Sequence, residues 1–260
     1  MLDRYLSESY DTLIRDSYGY NQASHDTSPA WAVLRTLYEK NYTQSTDTDE
    51  RIPKKIHQIW LGSQLPGKYE NWVNSWKTFN PGWEHKLWTD VNVNEVDLPD
   101  RGLFDGIKSM GQKSDYLRYH ILNQFGGVYA DTDFECLKSL DPLSYLDFYM
   151  GSGYTSEVEL YIGLMASVPN HFIIKSIVDS VTVAQRKTDW RAIFEQTGTY
   201  FFTRKFLEVV TEDIERVVIF PPGFFYPFPN NFRRKHAPYS YVKPYSFAIH
   251  HWAVSWLSRH

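Results

Sequence analysis

The sequence predicts an α/β fold, a mostly parallel sheet flanked by helices. Two observations carry this. Short apolar runs alternate with stretches of helical period, the pattern of strand, helix, strand repeated. Polar and aromatic residues also stand at the ends of those runs: Trp60, Asp90, and the pair Asp131 and Asp133. In open sheets of this kind ligands bind beyond the carboxyl ends of strands.

The elements follow in chain order. Residues 1–50 read as a helical N-terminal extension and linker. Leu2, Leu6, Leu13 and Ile14 suggest one helix, and residues 31–38 a second one after Pro29. Residues 43–50 are polar and acidic, as a linker is. Residues 51–260 form the main domain. Lys55 to Trp60 is its first strand, and residues 84–88 are its second. Between them Trp72, Trp76 and Phe79 recur at i, i+4 and i+7, which predicts one buried helix face. Residues 104–110 suit a short helix. Strands are expected at 148–151, 159–166 and 217–220, and helices at 169–186 and 200–210. Residues 221–231 read as a loop rich in proline and aromatics.

Residues 113–135 organise the rest. Ser114 is a good helix N-cap, because its hydroxyl can accept an orphan backbone N–H. Leu117, Ile121 and Phe125 recur at helical spacing. Asp115 and Arg118 are helix-surface neighbours three apart. Gly126 and Gly127 end the helix, where glycine turns left-handed cheaply. Val128 to Ala130 is then a strand, and alternation in its extension sends Asp131 and Asp133 the same way. Two carboxylates there make a seat for a hard divalent cation such as Mg²⁺ or Mn²⁺. Alone, the Asp-x-Asp pair is also the pattern of a solvated acidic turn.

The longer string is more specific. Ser114-Asp115-x-x-Arg118-Tyr119, followed by Gly126-Gly127-x-Tyr129-x-Asp131-x-Asp133, resembles the nucleotide-sugar glycosyltransferases with a DXD motif. More narrowly it resembles family 32, which holds yeast-type initiating mannosyltransferases and bacterial capsular-sugar transferases. The large clostridial glucosylating toxins are similar in this core. Residues 52–62, Trp88-Thr89-Asp90 and residues 248–256 also fit, so the resemblance spans residues 52–256. It implies a GT-A-like, Rossmann-type sheet and a retaining, metal-dependent transfer of a hexose. The donor would be a UDP- or GDP-hexose, and the acceptor a hydroxyl of a glycan or a lipid-linked acceptor.

The resemblance also implies roles. Asp133 is the first-choice ligand of Mn²⁺ or Mg²⁺. Asp131 is shared between metal-bound water and hydroxyls of the ribose or sugar. A C-terminal histidine adds a metal contact; His250 and His251 both stand there, and register favours His250. Ser114, Asp115 and Arg118 belong to the donor site, with a plain helix-surface ion pair as the alternative for the last two. Trp60 would stack on the base, or else be a core tryptophan. Trp256 would donate its indole N–H to the β-phosphate, or else anchor the C-terminus by packing. His57, Trp72 and Trp76 are assigned to the core. Thr199 stands where the family has proline, so the Thr197-Gly198-Thr199 turn carries less of the resemblance. No carboxylate is evident as a covalent nucleophile; Glu157 and Glu159 are the nearest candidates.

Composition narrows the rest. The net charge of −4 argues against a nucleic-acid binder, which needs a basic footprint. Cys136 is the single cysteine, so an intrachain disulfide or a cysteine-based zinc site is excluded. No apolar run reaches the roughly 18 residues of a membrane span, and the acidic start is no signal peptide. The expectation is a cytoplasmic bacterial or viral enzyme, or a Golgi-type enzyme without its anchor. Residues 233–236 form a small basic patch. It reads as a solvated face, with an anionic acceptor or peripheral membrane contact as the minority reading. The sequon at Asn41 reads as chance. Two rivals remain: a DxD phosphatase, disfavoured by Glu135 and by the motif's central position, and a non-catalytic nucleotide-sugar or glycan-binding module.

Overall fold

A computed structural model describes residues 8–17, 28–153, 157–183, 189–234 and 237–253. The predicted α/β class is what it shows. Six strands form one sheet: β1 (Lys55–Ile59), β2 (Glu84–Trp88), β3 (Gly127–Ala130), β5 (Phe148–Ser152), β6 (Leu160–Ser167) and β7 (Val217–Phe220). Their order is β2-β1-β3-β6-β5-β7. β1 pairs in parallel with β2 and β3, and β5 with β7. Only β6 runs against its neighbours, β3 and β5. This is the GT-A-like, mostly parallel sheet that the resemblance implied. Two further strands, β4 (Phe134–Cys136) and β8 (Ala248–His250), pair antiparallel apart from it.

Helices α1 (Tyr10–Arg15) and α2 (Pro29–Tyr38) come first. Trp31, Leu34, Leu37 and Tyr38 of α2 are buried in the same apolar core as the strands. The rings of Tyr38 and Tyr42 meet Phe220 and Phe224 edge-on. Asn41 is buried, and its amide donates to the carbonyls of Ile214 and Val217 at 2.9 Å each. That nitrogen is committed to the fold, so the sequon is a chance match. Leu2 and Leu6 lie outside the described residues.

Helix α3 (Glu70–Phe79) packs on β4 and holds it. Trp76 is fully buried and its indole N–H donates to Phe134 O at 3.0 Å. Losing such a ring costs about 3–5 kcal/mol. The predicted helix face needs correction. Phe79 is 41% exposed, and Val73 takes its place beside Trp76. Trp72 is half-buried, not core, because the face it occupies looks toward His251 rather than the sheet.

Helices α4 (Arg101–Gly106) and α5 (Met110–Phe125) lead into the centre. Helix α5 begins earlier than predicted. Ser109, not Ser114, is the N-cap, and its Oγ accepts from Gln112 N at 3.4 Å. Ser114 stands within the helix, where its carbonyl accepts from Arg118 Nε at 3.3 Å. Residues 115–122 are buried on every side, so the helix lies inside the protein rather than on it. Gly126 and Gly127 have φ of 61° and 89°. A Cβ on Gly126 would lie 2.6 Å from Pro169 Cδ, and one on Gly127 2.5 Å from Lys55 O. Space and conformation both require glycine there.

Helices α6 (Phe172–Ser180), α7 (Trp190–Gln196) and α8 (Thr199–Val209) complete the fold, and α6 packs between α5 and α8. Helix α6 is shorter than the predicted 169–186, because His171 caps its start and the chain turns extended at Val181. No helix among the described residues is long and apolar enough to cross a membrane.

Candidate active site

The site lies where β3 ends. The sequence suggested that Asp131 and Asp133 share a face through strand alternation. The structure corrects the route: β3 stops at Ala130, and residues 131–133 form a tight turn closed by Phe134 N–H donating to Asp131 O at 3.0 Å. The turn, not the pleat, brings the two carboxylates together. β8 then lays His250 opposite Phe134. Ligand atoms of Asp131, Asp133 and His250 all lie within 4.8 Å of one another.

Each member is held. His250 Nε2–H donates to Asp133 Oδ1 at 2.9 Å. Its ring stacks on Phe134 at 4.4 Å. Its Nδ1 is buried with no hydrogen-bond partner among the described residues. Trp252 adopts φ 53°, and the next amide, Ala253 N–H, donates to Asp133 Oδ2 at 2.8 Å. Burial opposes the charge on Asp133, yet His250 and these hydrogen bonds hold its carboxyl below the usual range. Asp131 goes the other way: burial and the Asp133 charge raise it, against the pull of Arg118. Tyr129 O–H donates to Asp131 Oδ1 at 2.6 Å. Gly163 lies so close that a Cβ there would come 2.9 Å from Asp131 Oδ2.

Arg118 is the hub. It is buried, with its Nη2 2.9 Å from Asp115 Oδ1 and its Nη1 3.3 Å from Asp131 Oδ1. Nη1 also donates to Ile162 O at 2.9 Å, and the guanidinium lies over the Tyr129 ring at 4.5 Å. The i,i+3 ion pair of Asp115 and Arg118 is present, but it is buried rather than on the helix surface, because α5 is internal. Thr197 O–H donates to Asp115 Oδ2 at 3.0 Å. Burial, partly offset by Arg118, pushes the Asp115 carboxyl up to about 7.

Trp60 stands at the end of β1, half-buried, its ring 4.9 Å from Tyr69 and its indole N–H on Ser63 Oγ at 3.1 Å. Asp90 is tied to the same loop, accepting from Gly62 N–H at 2.7 Å. His57 is a satisfied core histidine, as expected: it donates to Gly126 O at 3.0 Å and accepts from the Trp88 indole at 3.2 Å. Trp256 lies outside the described residues, as do residues 235 and 236 of the basic patch. Arg233 bonds locally to Asn230 Oδ1 at 3.1 Å.

Sequence reasoning missed a second layer. His251 is not with the carboxylate pair; its Nε2 lies 2.9 Å from Glu135 Oε2, and Trp72 stacks on its ring at 4.2 Å. Tyr239 O–H reaches the same Glu135 oxygen at 2.7 Å. Gly163 was also missed, and the Thr197-Gly198-Thr199 turn was given less weight although Thr197 meets Asp115. A glycine inside a strand was the available signal for Gly163; nothing local marked Tyr239.

The donor set fits a divalent cation: two carboxylates, an imidazole suited to Mn²⁺, and a buried ring nitrogen without a partner.

Comparison with known proteins agrees with this geometry. Residues 66–148 match the family described as the glycosyltransferase sugar-binding region containing a DXD motif. The match includes Asp115, Arg118, Asp131 and Asp133 and stops short of β8. Inositol phosphoceramide mannosyltransferase 1 of Schizosaccharomyces pombe is 30% identical over 197 residues, 70% of this chain and 60% of the relative. A mimivirus protein, uncharacterized glycosyltransferase L373, is 28% identical over 58% of this chain and 63% of its own length. The chain thus spans less than two thirds of the relatives it matches. Among solved structures, a PaToxG glycosyltransferase aligns with a TM-score of 0.48 and 18% identity, over 68% of this chain and 74% of that one. Over residues 66–148 the chain matches the glycosyltransferase family with a DXD motif, and the relatives it is similar to are named glycosyltransferases or mannosyltransferases.

Proposed function

We propose that this chain is a retaining glycosyltransferase that depends on a divalent cation and moves a hexose from a nucleotide-sugar donor to a hydroxyl acceptor. The convergence of Asp131, Asp133 and His250 at the end of β3 is the observation that carries the reading. The donor is a UDP- or GDP-hexose. The fungal relatives are named mannosyltransferases, which makes GDP-mannose the first donor to try. The acceptor is a glycan or a lipid-linked hydroxyl.

Asp131, Asp133 and His250 would hold Mn²⁺ or Mg²⁺. Bound there, the ion supplies Lewis acidity to the oxygens of the departing diphosphate. The other tasks fall to the chain. Arg118 holds Asp115 and Asp131, one on each terminal nitrogen. Asp115 has one oxygen on Thr197 and one on Arg118, and lone pairs remain to accept from a donor hydroxyl. Trp60 offers a half-exposed ring to the base. Retention without a placed carboxylate nucleophile favours front-face displacement. The anomeric C–O bond to diphosphate breaks, the acceptor oxygen bonds from the same face, and its proton passes to the departing phosphate oxygen.

The test is nucleoside diphosphate release from UDP- and GDP-hexoses, with Mn²⁺ and in excess EDTA. Release with Mn²⁺ and loss in EDTA are expected. Full turnover in EDTA removes the cation from the reading. A protein that binds these donors but releases no diphosphate is a binding module instead. A thermal-shift series with UDP and GDP identifies the base, since a ligand at a hundredfold its Kd stabilises by about 2.7 kcal/mol.

A further inference from the structure

Two adjacent histidines stand beside the acidic turn, and one of them reaches its carboxylates. His250 and His251 point to opposite faces of the pair β4–β8, as consecutive residues of a strand do. His250 stacks on Phe134 and meets Asp133. On the other face, His251 Nε2–H donates to Glu135 Oε2 at 2.9 Å. Its ring lies on that of Trp72, 4.2 Å away with 9° between the planes. Tyr239 O–H donates to the same Glu135 oxygen at 2.7 Å.

The ladder that decides between the two is short. β4 and β8 pair Phe134 with His250, Glu135 with Ile249 and Cys136 with Ala248. His251 N–H adds one more bond, to Asp133 O at 2.9 Å. A slip of one residue turns every side chain of a strand to the opposite face. In β8 it would carry His250 away from Asp133 and bring His251 toward it. A buried face usually fixes register through its apolar pattern. Ala248 and Ile249 are both fully buried, so that pattern does not tell one face of β8 from the other.

The polar and aromatic partners do tell them apart. Glu135 stands diagonally across the ladder from His251, a separation that long side chains bridge. Trp72 comes from α3, which is tied to β4 by the Trp76 indole on Phe134 O. An element outside the ladder therefore grips the second histidine. Beyond it the chain turns through Trp252, at φ 53°, and returns Ala253 N–H to Asp133 Oδ2. His251 is thus the anchored middle of a loop whose two ends both hold Asp133.

We propose that Glu135 and Trp72 capture His251 and thereby commit His250 and Ala253 N–H to Asp133. His251 and Glu135 are then positioning residues of the site: they touch neither cation nor donor and set the register that aims the groups which do. This rests on the cation reading above and deepens it by assigning what selects between the two histidines.

The test uses the full chain and two readouts. Amide hydrogen exchange of residues 250–253, followed by mass spectrometry, needs no metal. The Kd for Mn²⁺ alone is read from the electron paramagnetic resonance of the free ion. His251→Ala removes the ring, whereas His251→Gln keeps an N–H donor at the reach of Nε2. Glu135→Leu breaks the same contact from the other strand and replaces His251→Ala if that variant does not fold. In His251→Ala, exchange at residues 250–253 should quicken about tenfold relative to β3, and the Kd for Mn²⁺ should rise about tenfold. His251→Gln should recover most of both. The double variant His251→Ala/Glu135→Leu should be no worse than either single one, since both remove one interaction. A role in packing alone would quicken exchange in β3 equally and leave His251→Gln as impaired as His251→Ala. The proposal is overturned by that pattern, by an exchange ratio that stays at its wild-type value in folded variants, or by an unchanged Kd for Mn²⁺ in His251→Ala. A wild type that binds no Mn²⁺ overturns the cation reading instead, and the exchange ratio then decides this proposal by itself.

Discussion

Arg118 Nη1 lies 3.3 Å from Asp131 Oδ1, and this contact joins the buried central helix to the acidic turn. The same guanidinium meets Asp115, Ser114 O and Ile162 O. A helix, a turn and a strand are thereby fixed by one planar cation. A lysine cannot reproduce that fork.

Arg118→Lys should therefore cost both stability and turnover. Leaving Asp115 without its guanidinium partner in a buried setting costs about 3 kcal/mol, the lower end for a broken buried pair. Urea denaturation checks this. A variant as stable as the wild type, with unaltered diphosphate release, would show that Arg118 positions nothing.

The pH dependence of stability follows from buried histidines. Burial lowers His57, His120 and His171 each to about 4, from an ordinary 6.5. The unfolded chain binds those protons below 6.5 and the folded chain does not, so stability is full above 6.5 and falls toward 4. Each uncompensated histidine contributes about 1.4 kcal/mol per pH unit. Asp115, raised to about 7, acts oppositely: it takes up a proton in the folded state first and gains stability as pH falls. Asp131, raised by burial, adds to that opposition. His85 is likewise lowered to about 4 by burial, so four histidines outnumber the two carboxyls, and the urea midpoint should drop between pH 6.5 and 5. A midpoint that is flat or rises across that window contradicts this balance.

Much of this was legible in the sequence, for identifiable reasons. β3 was readable because it is a short apolar run after a glycine pair, whereas β1 (Lys-Ile-His-Gln-Ile) and β2 (Glu-His-Lys-Leu-Trp) are mixed in polarity. Gly126 and Gly127 were readable because only glycine fits their φ and the close backbone of Lys55. Ser114 misled because a serine near a helix start satisfies the capping rule equally at 109 and 114; tertiary burial of α5 decided between them. Asp131 and Asp133 were paired correctly by the wrong geometry, since a turn and a strand extension leave the same spacing in sequence. Trp72 followed Trp76 in helical period, and period alone does not say what a face meets. The contacts of Asp115 with Thr197 and of Glu135 with His251 span loops whose closure no local pattern encodes.

Trp60→Ala should weaken nucleotide binding more than it harms folding. The ring is half-buried against Tyr69, with its edge on Ser63. Base stacking on an aromatic contributes roughly 1–3 kcal/mol, so Kd for the nucleoside diphosphate should rise about tenfold, the lower part of that range. Titration calorimetry measures it. If Trp60→Phe binds normally while Trp60→Ala unfolds, the ring is core and not a platform.

Asp133→Asn tests the centre of the site. The carboxylate accepts from His250 Nε2–H on one oxygen and from Ala253 N–H on the other. An amide has one acceptor oxygen, so one of those donors loses its partner. Asp133 is held below the ordinary carboxylate range, so its charge contributes stability above that range, and the contribution is lost as pH falls through the lowered value. The substitution removes it at neutral pH, and a loss of about 1–2 kcal/mol in stability is expected. Turnover should fall far more, at least roughly a hundredfold, about 2.7 kcal/mol of transition-state stabilisation. The two effects separate by measurement. Melting with Mn²⁺ and nucleoside diphosphate should rise for the wild type and stay unmoved for Asp133→Asn, while circular dichroism shows both folded. A purified Asp133→Asn protein that transfers sugar within about threefold of wild type, under 1 kcal/mol of barrier, at saturating Mn²⁺ would remove Asp133 from the cation site. The acidic turn would then be structural, with His250 serving only as its hydrogen-bond donor.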